Sequence, residues 1–167
     1  NLVGPSTIDV AWDRHINDSL QLSEFILKKN ASIIDLGTGA GLPGVILYIF
    51  GYTNILLIDS KMKKINFIKE FAYEQSFEIK TICSRVEKIK NQNFDFIVCR
   101  AFAPLIKLLD YSRFFTKRNT SLLFLKGRSV MKEIEDAKKS FSFKYDLYPS
   151  KSEGDGFVLK INKYKKL

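Results

Sequence analysis

The sequence has little cysteine and lacks any apolar stretch as long as a membrane-spanning helix. Its two cysteines, Cys83 and Cys99, match no metal-ligand spacing. We therefore predict no metal site and expect both thiols to be reduced and buried in a cytoplasmic protein. No apolar run approaches the roughly 20 residues of a transmembrane helix, and we predict no signal peptide. Because the chain begins with Asn1 instead of methionine, we expect upstream residues to have been removed.

The length and composition are those of one domain. The chain has 167 residues, of which 46% are hydrophobic, and its mean hydropathy of -0.08 is ordinary for a globular protein. No repeat or low-complexity linker interrupts it. We predict a single domain and a monomer, with a lead-in and helix in residues 1–30 and an α/β core in residues 31–167.

Positive charge is in clear excess. The chain carries 27 lysines and arginines against 18 acidic residues, which gives a net charge of +9 and a pI near 9.5. This balance favours a polyanionic partner, with nucleic acid as the first candidate. A lysine-rich surface that is simply solvated gives the same balance, so the charge alone leaves both interpretations open.

The most informative stretch is residues 33–44, where a short apolar run ends in Asp35 and a second apolar run follows Pro43. Three alternate glycines lie between the two runs: Gly37, Gly39 and Gly41. Glycine suits positions where the backbone has a positive φ or a ligand approaches closely, and proline suits the first turn of a helix. The pattern predicts a strand, a tight loop and a helix whose N-terminus faces a nucleotide-like ligand.

Two alignments of this loop predict different ligands. Residues 39–44 match the dinucleotide fingerprint G-x-G-x-x-G, but its first glycine would then lie three residues beyond the predicted strand. The order Asp-x-Gly-x-Gly-x-Gly, starting at Asp35, resembles the first motif of class I S-adenosylmethionine-dependent methyltransferases. In that class a second acid ends the next strand, and Asp59 follows the apolar run 55–58. Its carboxylate could accept both ribose hydroxyls; alternatively, Asp59 caps the following helix.

Hydrophobic periodicity predicts alternating strands and helices along the chain. We predict helices over residues 12–28, 45–50, 61–75, 104–111 and 129–140. We predict strands over residues 30–36, 54–59, 77–83, 94–99, 121–125, 142–148 and 157–162. In the first helix Trp12, Ile16, Leu20 and Leu27 can share one face, in the third Met62 begins the face that packs on the sheet, and Ser129 caps the last. The α/β alternation indicates a Rossmann-like, mostly parallel seven-stranded sheet with helices on both faces and an antiparallel final pair.

Several separate stretches, in order and over nearly the whole chain, together resemble one family. They are Asn1-Leu2, the seven residues from Arg14 to Leu20, residues 34–44, Asp59-Ser60 with Lys63-Lys64, residues 84–87, residues 100–105 and Lys126-Gly127. The sequence resembles the glucose-inhibited division protein B family, whose members methylate N7 of a guanine in 16S ribosomal RNA of the small subunit. The glycine loop is typical of the whole superfamily, whereas Gly-Leu-Pro-Gly, Arg-Ala-x-Ala-Pro-Leu and Arg-His-x-x-Asp-Ser are specific.

The resemblance implies S-adenosylmethionine as cofactor and a role for each matching residue. The cofactor-binding residues would be Asp35 near the methionine end, Gly37, Gly39, Gly41 and Leu42 in the loop, Asp59 at the ribose, Val86 and Glu87 at the adenine, and Arg100 near the transfer site. The RNA-binding residues would be Arg85, Arg100, Phe102 as a base-stacking ring, and Lys126. No residue is assigned as a catalytic acid or base.

Plainer interpretations stay open for several of these residues. Arg85 and Arg100 could pair with Glu87 and Asp35 in an ion network. Phe102 and His15 could be ordinary packing residues, and Asp18 and Ser19 could tie the first helix to the domain.

The chemistry of guanine N7 explains why so few reactive residues are needed. N7 has a free lone pair and carries no proton, so attack on a methyl group requires positioning but no general base. N7 lies on the major-groove edge, which is too deep and narrow in A-form RNA for a protein to enter. The target base must therefore lie in a loop or be splayed out.

Two departures from the family pattern keep a non-catalytic RNA-binding relic open as an alternative. The family usually has an additional amino-terminal helical segment, and it usually has an arginine just before the last strand. The matching position here falls near Asp155 and Gly156, and no arginine follows Arg128. A nicotinamide-dinucleotide oxidoreductase is the second alternative; it requires the 39–44 alignment of the loop.

Overall fold

The computed structural model describes residues 12–89, 92–152 and 154–167, which form a seven-stranded sheet flanked by helices. The strands are β1 (Ile33–Leu36), β2 (Ile55–Asp59), β3 (Lys80–Cys83), β4 (Phe94–Arg100), β5 (Thr116–Lys126), β6 (Phe141–Pro149) and β7 (Phe157–Lys166). Their order in the sheet is β3-β2-β1-β4-β5-β7-β6. All neighbours are parallel except β7, which runs antiparallel to both β5 and β6. The predicted sheet is confirmed.

The helices connect the parallel strands. They are α1 (Asp18–Leu20), α2 (Gly44–Ile49), α3 (Met62–Glu74), α4 (Leu105–Ser112) and α5 (Val130–Lys138). A π-helical turn (Trp12–Asn17) precedes α1 and a 3₁₀ segment (Gln21–Phe25) follows it. We call these three pieces, residues 12–25, the N-terminal helical segment.

Two apolar layers cover the faces of the sheet. On one face α4 and α5 contribute Leu105, Leu108 and Ile134 to a core with Ile34 and Phe124. On the other face the N-terminal helical segment, α2 and α3 cover a second core. Because the central strands are buried on both sides, they need continuous apolar runs. The run in β1 extends to Asp35, and the run in β2 extends to Asp59.

The N-terminal helical segment differs from the prediction in the face that it buries. Trp12 is 74% exposed and Leu27 is 89% exposed, whereas Leu22 and Ile26 are buried. Ser19 and His15 are buried on the same side, one and two turns before Leu22. The buried face therefore combines polar and apolar residues at helical spacing, and a search for apolar residues alone finds the wrong face.

Other predicted boundaries shift by a few residues. Strands β1 and β3 begin three residues later than predicted, whereas β5 begins five residues earlier, at Thr116. Met62 is exposed, although Ile65 and Ile68 of the same helix are buried as predicted. The Ser129 side chain makes no capping bond to the backbone of α5 and donates to Glu133 instead.

The cysteine prediction holds for one residue and not the other. Cys99 is buried in β4, and its burial raises the pKa of the thiol to about 12, so the thiol stays protonated at neutral pH. Cys83 ends β3 at the sheet edge and is partly exposed. Both are free thiols. None of the described helices has the length and hydropathy to span a membrane.

The exposure difference between two leucines five positions apart gives a direct test of the N-terminal helical segment. We expect Leu22→Ala to lower the free energy of unfolding by about 2–5 kcal/mol, because it leaves a cavity in a fully buried layer. Leu27→Ala, the matched control, is expected to change it by less than about 0.5 kcal/mol. Urea unfolding measures both, and equal losses would contradict the orientation described here.

Candidate functional site

The glycine loop joins β1 to α2 at the carboxyl end of the sheet. Gly37 and Gly39 have φ values of +71° and +60°, which L side chains rarely adopt. A Cβ on Gly37 would overlap the ring of Phe102, whereas a Cβ on Gly39 would make ordinary van der Waals contact with Lys64 Nζ and the Gly37 carbonyl. The backbone N–H of Thr38 donates to the Ile58 carbonyl at 2.9 Å and fixes the loop to β2.

Asp35 lies beneath the loop and is completely buried. Its Oδ2 accepts hydrogen bonds from the Thr38 hydroxyl at 2.6 Å and from the Gly44 N–H at 2.9 Å. Its Oδ1 is buried without a hydrogen-bond partner among the described residues. Burial raises the pKa of this carboxyl to about 7 despite these two bonds. The side chain therefore supports the loop from inside, and direct contact with a cofactor stays a prediction.

Asp59 at the end of β2 serves both the loop and the following helix. Its Oδ2 accepts from the Gly39 N–H at 3.0 Å, and its Oδ1 accepts from the Lys61 N–H at 2.9 Å. Lys64 lies 3.8 Å from the same carboxylate. The helix-supporting interpretation and the ligand-binding prediction are therefore compatible, because the carboxylate also borders a cavity.

A small cavity of about 190 Å³ opens at the carboxyl ends of β1, β2 and β3. Most of the residues expected to bind the cofactor nucleoside line this cavity. Two further lining residues, Ile58 and Tyr111, lie outside the stretches that carry the resemblance. The complete lining is Gly37, Ile58, Asp59, Ser60, Ser84, Arg85, Val86, Glu87, Phe102 and Tyr111. Burial and the neighbouring Glu87 raise the pKa of Tyr111. The structure thus brings Gly37, Asp59, Val86 and Glu87 together, as the resemblance implied.

Phe102 separates this small cavity from a larger one. Its ring packs on Gly37 and lies 5.9 Å from the ring of Tyr111, measured between centroids. The side chain is 38% exposed and borders both cavities. Phe102 is therefore both a packing residue and an accessible ring.

The larger cavity has a volume of about 770 Å³ and adjoins the carboxyl ends of β4 and β5. Its lining is rich in charge: Arg14, Arg100, Lys126 and Arg128 face it together with Asp18, Glu133 and Asp155. Two of these cations are held in ion pairs, Arg100 with Asp18 at 3.4 Å and Lys126 with Glu133 at 2.7 Å.

Arg100 is positioned by the N-terminal helical segment and not by Asp35. Its Nη2 donates to the Arg14 carbonyl at 2.8 Å and lies 2.7 Å from Nδ1 of His15. Burial and the charge of Arg100 lower the pKa of His15, so the ring is neutral at pH 7 and Nδ1 accepts. Asp18 in turn accepts hydrogen bonds from Gln21 and Ser150. Asp18 thus ties the segment to the domain, as the plainer interpretation proposed, whereas the Ser19 hydroxyl donates to the His15 carbonyl within the segment. His15 is buried, as a packing residue would be, and also contacts Arg100.

Lys126 has a largely structural environment. Its side chain is 8% exposed, and its Nζ donates to the Ala103 carbonyl at 3.0 Å as well as to Glu133. These bonds fix the loop that follows β4. Gly154, Asp155 and Gly156 form the opposite wall, where the family usually has an arginine, and the Arg14 guanidinium lies against Gly154.

The chain's residues fit S-adenosylmethionine. Gly37 and the Asp59 carboxylate border the nucleoside-sized cavity, and the positive φ values of Gly37 and Gly39 shape the loop beside it. The Oδ1 of Asp35 is buried and unpaired beneath the loop. Gly39, Gly41 and Leu42 do not line this cavity.

The sheet order, the glycine loop after β1 and the acid at the end of β2 define a class I S-adenosylmethionine-dependent methyltransferase. Among solved structures, the fold is similar to a SAM-dependent methyltransferase from Aquifex aeolicus, with a TM-score of 0.73, 18% identity, and coverage of 96% of this chain and 100% of that chain. It is also similar to ribosomal protein L11 methylase from Lactobacillus delbrueckii subsp. bulgaricus, with a TM-score of 0.71, 19% identity, and coverage of 87% and 76%.

Sequence comparison narrows the class to one family. Residues 1–153 match the family model GidB, described as rRNA small subunit methyltransferase G. The chain is 38% identical over 167 residues to ribosomal RNA small subunit methyltransferase G of Rickettsia prowazekii, and 35% identical to that of Gluconobacter oxydans. Both matches cover 100% of this chain and 86% of the relative. The chain belongs to the GidB family.

Sequence reasoning missed three residues that shape the site. Thr38 holds Asp35, Tyr111 lines the small cavity, and Glu133 holds Lys126. A hydroxyl three residues after an acid was a readable signal for Thr38, because such short contacts are common in turns. Tyr111 and Glu133 lie on helices far along the chain, and no local pattern indicates their partners.

The raised pKa of Asp35 predicts how stability depends on pH. Its pKa in the folded state, about 7, exceeds the ordinary aspartate value of 3.8, so folding favours the protonated form. The stability from this group is full below about pH 4 and is lost as pH rises through about 7. We expect Asp35→Asn, which cannot ionise, to gain stability relative to the wild type between pH 5 and pH 8. Urea unfolding of both proteins across this range measures the difference; a difference independent of pH would contradict it.

Proposed function

We propose that the chain methylates N7 of a guanine in 16S ribosomal RNA of the small ribosomal subunit, acting as a monomer in the cytoplasm. The observation that carries the proposal is the pair of cavities on either side of Phe102, in a chain that belongs to the GidB family. The smaller cavity suits a nucleoside, and the larger one, lined by arginine and lysine, suits a nucleotide of RNA.

On this proposal the cofactor lies over the glycine loop and in the small cavity. Gly37, Gly39 and Gly41 give the loop its positive φ values beside the cofactor, Asp59 accepts its ribose hydroxyls, and Val86 and Glu87 flank its adenine. Asp35 and Leu42 support the loop at the methionine end. When bound, S-adenosylmethionine supplies an electrophilic methyl group on a sulfonium.

The protein's part in the reaction is to position the base and exclude water. Asp18 and Glu133 are held by Arg100 and Lys126, so these two carboxylates are poor candidates for a general base. This arrangement suits N7, which carries no proton to remove. Phe102 offers its ring to a splayed guanine, and Arg100 lies at the wall of the cavity beside it.

Phosphate contacts would supply most of the RNA affinity. Arg14, Arg85 and Arg128 are exposed around the two cavities. Arg14, which lies against Gly154, supplies a guanidinium at the wall where the family's usual arginine is replaced. Lys126 would act on RNA mainly by holding the loop that carries Phe102.

The oxidoreductase alternative is not favoured. A dinucleotide pyrophosphate would need the free N–H groups at the start of α2. The Gly44 N–H donates instead to the buried Asp35, and a carboxylate at that point disfavours a phosphate. A non-catalytic relic remains the second candidate because Asp155 lies at the wall of the RNA cavity.

We expect Gly39→Asp to abolish binding of S-adenosylmethionine, because it adds a carboxylate to the loop near Asp59 and puts a side chain at a φ of +60°, which distorts the loop. Gly127→Asp adds the same group where no atom lies within 4 Å of the new Cβ, and it is expected to leave cofactor binding unchanged. Calorimetric titration measures both. Micromolar binding by Gly39→Asp would contradict the proposed cofactor site.

The proposed function is tested by transfer of a labelled methyl group to small subunits that lack the modification. Transfer by the wild type, mapped to N7 of a guanine, with none by Gly39→Asp, supports the proposal. Cofactor binding and RNA binding without transfer would favour the relic. Label at another atom or in another RNA would contradict the assigned substrate.

Variants of Arg85 allow cofactor binding and RNA binding to be tested separately. It is exposed at the rim of the small cavity, so we expect Arg85→Ala to keep cofactor affinity within about threefold while weakening binding of small-subunit RNA by roughly tenfold. Arg85→Lys, which keeps the charge, should recover most of the RNA affinity. Titrations with cofactor and with RNA measure these effects, and equal loss of both affinities would show a structural role.

A further inference from the structure

The sheet opens at the end opposite the glycine loop. Strands β5 and β7 are paired only from Leu122 and Ile161 towards the active-site end, although β5 extends back to Thr116 and β7 continues to Lys166. Beyond that point residues 116–120 and 162–166 lie on the two sides of a cleft of about 290 Å³. We call this cleft the fork.

Two strand irregularities produce the fork. On β7, Asn162 is an extra residue in the pairing with β6, between Ile161 and Lys163. On β5, residues 117–120 have no backbone pairing with β4. Thr116 pairs with Phe94, and the next paired residue, Ser121, already pairs with Phe96. Such bulges bend a strand and interrupt its ladder. The Ser121 hydroxyl donates to Asn162 Oδ1 at 2.8 Å and closes the fork at its apex.

The fork is lined almost entirely by cationic and hydroxyl groups. Its lining residues are Arg113, Thr116, Lys117, Arg118, Thr120, Asn162, Lys163, Tyr164, Lys165 and Lys166, with no carboxylate among them. Lys117 pairs with Asp95, and both Arg113 and Lys166 pair with Asp110, at the margins of the cleft. Within the described part of the chain, Arg118, Lys163 and Lys165 form no ion pair.

A hydroxyl donor adds to this charge. The Tyr164 hydroxyl is buried and completes no hydrogen bond with a described residue. The Thr116 hydroxyl near it donates to the Arg113 carbonyl. Burial raises the pKa of Tyr164, so the phenol keeps its proton at neutral pH. Cationic groups on both sides of the fork are the donors that phosphate oxygens accept from.

We propose that the fork binds the phosphodiester backbone of a small-subunit RNA segment other than the one that carries the target base. The inference rests on the proposed ribosomal RNA substrate. Thr116 in the fork pairs with Phe94, and Leu125, next to Lys126 at the large cavity, pairs with Arg100, so about six strand residues, or roughly 20 Å, separate the two sites. One nucleotide cannot span this distance, so the two ends of the sheet contact different parts of the RNA.

The test compares two triple variants that each remove three positive charges from the net of +9. Arg118→Gln, Lys163→Gln and Lys165→Gln together neutralise the fork. Lys28→Gln, Lys69→Gln and Lys80→Gln together form the control; these lysines are exposed, are outside both cavities and the fork, and form no ion pair among the described residues. All six side chains are on the surface, and thermal unfolding checks that both proteins are folded.

We expect the fork variant to bind small-subunit RNA roughly tenfold more weakly than the control, with a salt dependence of log K that is less steep by about 2 to 3. Both variants should bind a short RNA that contains only the target loop equally well, because such an RNA cannot reach the fork. Cofactor affinity should match the wild type in both.

Each other outcome is decisive. Equal weakening by the two variants would show that only net charge matters, and no weakening would show that RNA does not contact the fork; either result overturns this inference and leaves the proposed function intact. If the fork variant lost as much affinity for the short RNA as for small-subunit RNA, the effect would lie at the active site, and this inference would also be overturned. A wild-type protein that binds cofactor but no small-subunit RNA would contradict the proposed function itself, and the fork site with it.

Discussion

The site depends on one buried carboxylate. Asp35 ends the central strand of the sheet and accepts hydrogen bonds from Thr38, within the glycine loop, and from Gly44, at the start of α2. These two bonds fix the loop at both ends. The loop then presents the Gly39 N–H to Asp59 and leaves Gly37 in contact with Phe102. The nucleoside cavity and the ring that separates it from the RNA side both depend on this arrangement.

Charge is distributed so that some cations hold the protein together and others stay available. Arg100 and Lys126 are tied to Asp18 and Glu133 near the carboxyl end of the sheet. Their task is to position the N-terminal helical segment and the loop that carries Phe102. The arginines on the rims of the cavities and the basic residues of the fork remain exposed. The positive charge behind the net +9 is thus neither spread evenly over the surface nor confined to one patch.

The sequence predicted the sheet and the glycine loop, and it singled out Gly37, Asp59 and Val86, which the structure brings to one cavity, because these features depend on local patterns. Apolar runs that end in an acid, alternate glycines and helical periodicity are all read within about fifteen residues. The orientation of the N-terminal helical segment was not predictable in this way, because the buried His15 is held by Arg100, 85 residues away.

Local sequence patterns could not predict the partners of the charged residues either. Arg100 was expected to pair, if at all, with Asp35, and the structure pairs it with Asp18. The start of β5 was missed because Thr116 and the polar residues after it do not alternate with apolar ones. Their conformation is set by strand irregularities on both sides of the fork, which no single segment specifies.

The position of Phe102 has a thermodynamic consequence. One ring borders both cavities and packs against Gly37, so on the proposed function a shift of the ring for one ligand also changes the wall of the other ligand's cavity. Any change in cofactor affinity that RNA causes is then matched by an equal change in RNA affinity that the cofactor causes, because linkage between two sites is reciprocal. On the proposed function, this shared wall couples the release of the spent cofactor to the release of the methylated RNA.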